Sequence, residues 1–143
     1  MIEYRDAAAT TTPTLLDAGV IRLNPKWSVA DRLVELEREL CEIIEELRPA
    51  CCAVEELYSH YAHPTTAIIM GHARGVILLC ARRHNLKLVE LPASRVKKSM
   101  TGHGHATKEQ MQRSVQALFR LKDLPEPPDV ADAVAIALCA ARA

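Results

Sequence analysis

No CxxC pair occurs in this chain, and its five cysteines (Cys41, Cys51, Cys52, Cys80 and Cys139) are odd in number and sit among apolar neighbours. That argues against a disulfide or zinc framework and for small buried thiols in a reducing compartment, so the expected location is cytoplasmic. Net charge is also lacking: 18 Lys/Arg stand against 18 Asp/Glu, a balance that speaks neither for nor against a polyanionic partner. No signal peptide opens the chain and no apolar run reaches membrane-spanning length, so a soluble protein with no membrane partner is expected. Repeats and an obvious linker are missing too. The 143 residues then read as a single domain, 1–143, long enough to bury a core.

The charge that is present is unevenly spread. Residues 1–57 hold 6 Lys/Arg against 12 Asp/Glu, residues 72–122 hold 11 Lys/Arg against Glu90 and Glu109, and residues 123–143 hold Arg142 against four acids. A basic middle in a neutral chain reads as a localised anion-binding face, although charge bias alone is more simply a solvated surface.

Periodicity supplies the elements. MIEY at 1–4 reads as the end of a strand, and the run at 18–23 alternates as another. Ser28 and Asp31 open a helix whose Leu33, Leu36, Leu40, Ile43, Ile44 and Leu47 follow at helical spacing until Pro49 ends it. Ala50 to Val54 suits a strand buried on both faces, delivering Glu55 to its carboxyl end. A helix over roughly 65–84 follows, with Asn85 at its C-cap and Gly71 and Gly75 four apart, where another backbone could approach closely. A strand at 86–91, a short basic helix after Pro92, a helix from Thr107 to about Phe119 and a last helix after Pro127-Pro128 complete the order. Helices joining strands imply parallel crossovers, and the class is α/β.

Four residues stand out chemically. Asp129 and Asp132 are three apart, so both carboxylates leave one face of a helix's first turn, where Asp is also an ordinary cap. Glu55 closes an apolar strand, and carboxylates on such scaffolding are costly unless a cation or proton neutralises them. Hard oxygen ligands suit Mg²⁺, and an acidic set beside a basic segment is how a divalent metal is held against a phosphodiester. Lys108 follows the cap Thr107, at a helix start that favours phosphate, while Lys98 reads more simply as an exposed lysine. Tyr58 could be a core residue or an aromatic that stacks on an unpaired base. His60, His63, His72 and Cys80 can be drawn as a zinc site, but Pro64 bends the chain away after His63.

The blocks AVEELY (53–58), GHARGVILL (71–79), SRVKKSMTGHGHATKEQMQ (94–112) and PPDVADAVAIAL (127–138), in that order and spacing, resemble the RuvC family of crossover junction endodeoxyribonucleases. The likeness runs from about Asp17 to Ala143. It implies an RNase H-like mixed sheet flanked by helices and a homodimer acting on four-way junction DNA in recombination and repair, with RuvA and RuvB as branch-migration partners. It places Glu55, Asp129 and Asp132 on the metal-binding acids, with two Mg²⁺ per subunit. Lys97 and Lys108 fall on the active-site lysines and Tyr58 on an aromatic that stacks near the junction; Arg95 and Lys98 join Tyr58, Lys97 and Lys108 as the expected DNA-binding residues. The family's opening strand, with Gly-x-Asp-Pro-Gly whose Asp bridges the metals, has no counterpart here. The expectation is therefore a chain that is N-terminally incomplete, with a start upstream of Met1. The alternative is a junction-binding protein without catalysis.

Overall fold

A computed structural model describes residues 1–3, 13–57 and 64–142, so Tyr58, His60 and His63 lie outside the described residues. The elements in chain order are β1 (Ile2–Glu3), β2 (Thr14–Leu15), α1 (Val29–Leu47), β3 (Cys51–Glu55), α2 (Pro64–Arg83), β4 (Lys87–Leu91), α3 (Ala93–Thr101), α4 (Lys108–Phe119) and α5 (Pro128–Ala141). Strand β3, helix α2 and strand β4 form the expected crossover. Lys87 N donates to Ala50 O at 3.4 Å and Glu56 N to Leu91 O at 2.9 Å; residue numbers rise together on the paired strands, so the pairing is parallel.

Local chemistry accounts for the helix ends. Ser28 Oγ accepts from Asp31 N at 3.1 Å and starts α1. Thr107 and Gln110 build a reciprocal capping box at α4: Gln110 N donates to Thr107 Oγ1 at 3.2 Å and Thr107 N to Gln110 Oε1 at 2.9 Å. Helices α1 and α4 close on the left-handed residues Arg48 and Arg120, and Asn85 takes the same conformation after α2.

Three expectations are corrected. Residues 18–23 form no strand; β1 pairs antiparallel with β2 instead, Ile2 opposite Leu15 and Glu3 opposite Thr14. Alternation says which side chains would share a face, but a strand also needs a hydrogen-bonding neighbour. Cys51 to Val54 are half-buried, not sealed on both faces, because the β3–β4 sheet has two strands among the described residues and is too narrow to be covered fully. Helix α2 is long and apolar enough, by length and composition, to cross a membrane. An expectation built on unbroken apolar runs stops at His72 and Arg74 and so misses it.

The chain divides into two compact units. One, Ile21–Cys52 with Leu57–Leu88, packs α1 on α2 around Ile44, Cys80, Ala81 and Leu86, with Leu40, Cys41, Cys52 and Val76 closing the edge. Arg83 Nη1 to Glu37 Oε1, 2.7 Å, joins the two helices at the surface. The other unit, Met1–Val20, Ala53–Glu56 and Val89–Ala143, packs α3, α4 and α5 with the ends of β3 and β4. Its core gathers Leu91, Val96, Ala106, Met111, Ala135 and Cys139, continuing through Val115, Ala131 and Val134. Fully burying each of the larger ones, Leu91, Val96, Met111, Val115 and Val134, contributes about 1.5–3 kcal/mol. That packing fixes α5 in place, and the acids of interest stand on it.

Candidate active site

Two proline residues set the start of α5. Pro128 presets a helical φ and has no N–H to leave unsatisfied, and Pro127 is the N-cap with no side-chain capping bond. Asp129 therefore caps nothing. Its Oδ1 accepts from Lys108 Nζ at 2.9 Å, so the first turn of α4 faces the first turn of α5. That bond to Asp129 raises the Lys108 ammonium above its ordinary titration range. Both partners are well exposed, at 66% and 76%, so the bridge itself contributes little to stability.

Asp132, one turn further along α5, is half-buried. Burial raises its carboxyl, Lys108 opposes the shift, Asp129 adds to it and Lys97 opposes it. Glu55, at the carboxyl end of β3, is also raised. Partial loss of water is the first cause and the negative charge of Asp132 the second, with Lys97 acting against both. Glu55, Lys97, Lys108, Asp129 and Asp132 thus come from β3, α3, α4 and α5 into one electrostatic neighbourhood within one unit. On α3, Lys97 is half-buried beside the acids, whereas Arg95 and Lys98 are exposed.

The donor set is chemically suited to a hard divalent cation. Asp132 raises the Glu55 carboxyl and Asp129 raises that of Asp132, like-charge repulsion that a cation removes. Among the described residues, however, no three His, Cys, Asp or Glu side chains are gathered closely enough to hold an ion. Asp129 is bonded to Lys108 instead. The same observation leaves the zinc drawing without support among the described residues: His72 is exposed and Cys80 is buried in the α1–α2 core.

Sequence reading passes over one residue near this site. Gln112, on α4, is 6% exposed, and its Nε2 donates to Pro125 O at 3.0 Å and Glu126 Oε1 at 2.9 Å. The available signal was a polar residue between the core positions Met111 and Val115.

Comparisons with known proteins agree with the resemblance. The family model for "Crossover junction endodeoxyribonuclease RuvC" matches residues 6–140. A crossover junction endodeoxyribonuclease RuvC of Rhodopirellula baltica is 45% identical over 125 residues, covering 87% of this chain and 70% of the relative. The solved Thermus thermophilus RuvC structure superposes with a TM-score of 0.82 at 30% identity, over 99% of this chain and 83% of that one. A second Thermus thermophilus structure, RuvC in complex with a Holliday junction substrate, gives a TM-score of 0.83 at 28% identity, over 99% and 85%. The fold is the RNase H-like α/β fold of these nucleases. The chain belongs to the RuvC family of crossover junction endodeoxyribonucleases.

Proposed function

We propose that this chain is a structure-selective DNA endonuclease that resolves Holliday junctions by symmetric, Mg²⁺-dependent nicking in recombination and repair. The reading includes a cytoplasmic homodimer with two Mg²⁺ per subunit, and RuvA and RuvB as branch-migration partners. The observation that carries it is the meeting of Glu55 and Asp132 beside Lys97, with the Lys108–Asp129 pair next to them. Support for the substrate comes from the fold shared with a RuvC solved on a Holliday junction.

Glu55 and Asp132 would hold the ion, and Asp129 would be the third oxygen donor if its bond to Lys108 were given up. Bound there, Mg²⁺ supplies activation of water for in-line attack on phosphorus and offsets charge on the leaving 3′ oxygen. Lys97 lowers the cost of keeping the two acids ionised. Lys108, released to the scissile phosphate, opposes the charge that develops there. Arg95 and Lys98, exposed on α3, bind backbone phosphates, and Tyr58 stacks on an unpaired base. For the homodimer, support comes from α2: Ile68, Gly71, His72, Gly75 and Leu79 form one exposed stripe, and nothing stands within 4 Å of a Cβ built at either glycine.

One observation favours a second reading, junction binding without cleavage: no three-carboxylate set is preformed among the described residues. Incubating the protein with a four-way junction and Mg²⁺ separates the two. Nicking is expected, and Glu55→Gln should abolish it while junction binding persists. Binding without nicking in the parent protein would favour the second reading.

A further inference from the structure

We infer that Gln112 is a positioning residue for the α5 carboxylates, an inference that rests on the nuclease reading. Gln112 is the one buried polar side chain among the described residues, and it lies one helical turn after Lys108 on α4. Both of its polar contacts go to the two residues just before the prolines that start α5: the Pro125 carbonyl and the Glu126 carboxylate. That start lacks the usual tether, because Pro127 has no side-chain capping bond and neither Pro127 nor Pro128 has an N–H. The amide of Gln112 supplies the missing tether from the neighbouring helix. A capping box holds the beginning of α4, α4 carries Gln112, and Gln112 holds the residues from which α5 departs. The exposed Lys108–Asp129 bridge is too weakly held to set that register by itself. Displacing reacting groups by about 1 Å costs roughly 10²-fold in rate, so the tether matters to chemistry beyond its share of stability.

The test uses the full chain with three variants: Gln112→Leu, which keeps bulk but donates nothing; Gln112→Glu, which sets a carboxylate against Glu126 Oε1 and Pro125 O; and Gln112→Glu combined with Glu126→Gln, which restores one donor–acceptor pair with the roles exchanged. Nicking is measured in single turnover, junction binding by titration, and metal binding by electron paramagnetic resonance of free Mn²⁺, all well below each variant's melting temperature. Gln112→Leu should bind junction about as the parent does, nick about 10–100-fold more slowly and bind Mn²⁺ several-fold more weakly. Gln112→Glu should be worse, and the double variant should recover part of its loss. Unchanged nicking and Mn²⁺ binding in folded Gln112→Leu would overturn the inference, as would losses that vanish at lower temperature or a double variant no better than Gln112→Glu. If the parent nicks nothing, the nuclease reading fails, yet the Mn²⁺ titrations still decide whether Gln112 places the acids. A parent that binds no Mn²⁺ overturns the inference as well.

Discussion

At the scale of single residues, the site is two carboxylates that would rather not both be charged. Glu55 and Asp132 titrate above their ordinary values in the folded chain. Between the ordinary carboxylate range and those raised values the native state holds more protons than the unfolded one. Their contribution to stability is therefore fully present at lower pH and lost as pH rises through the raised values. Glu35, lowered by its hydrogen bonds to Arg38, acts in the opposite sense, so the informative comparison is between parent and variant. Without metal, Glu55→Gln and Asp132→Asn should each flatten the fall in melting temperature as pH rises above the ordinary carboxylate range. Mg²⁺ should raise the melting temperature of the parent at the higher pH and leave both variants nearly unmoved. Melting curves of parent and variants that run parallel, with no response to Mg²⁺, would remove these two acids from the proposed metal site.

Among the elements, α2 carries the sharpest expectation. Its stripe of Ile68, Gly71, Gly75 and Leu79 is exposed, and both glycines leave room for a second backbone. Gly75→Leu should convert a dimer to monomer in sedimentation velocity while leaving helix content unchanged or slightly higher, since leucine is the better helix former. A parent that sediments as a monomer, or a variant that stays dimeric, refutes the assignment of this face. Helices were also the most legible part of the sequence. Ser28, Thr107 and Asn85 act on amides and carbonyls a few residues away, so their signals are local and survive without tertiary information. Strands fared worse for the converse reason: β2 is Thr14–Leu15, not 18–23, because pairing with β1 decides it. For the candidate site, motif and spacing singled out Glu55, Asp129 and Asp132, which the structure brings into one electrostatic neighbourhood. The bond of Asp129 to Lys108 and that of Gln112 to Pro125 join residues 21 and 13 apart in sequence, and no periodicity encodes either.

For the molecule as a whole, zero net charge conceals a basic stretch over residues 72–122, part of which lies exposed on α3 at Arg95 and Lys98. Junction affinity should therefore fall steeply with salt, and neutralising Arg95 or Lys98 should each reduce the slope of log affinity against log salt by about 0.9 for every phosphate contact removed. A slope unmoved by either change would place the DNA on another surface. A different global property follows from the way two helices close. Arg48 and Arg120 sit at φ 45° and 52°, a conformation that costs a residue bearing a Cβ about 1–2 kcal/mol and glycine almost nothing. The native protein thus leaves headroom in heat tolerance that two exchanges to glycine would release without altering one acid or lysine. A sturdier parent of that kind would let disruptive interior substitutions be read as changes in chemistry, undistorted by loss of folded protein.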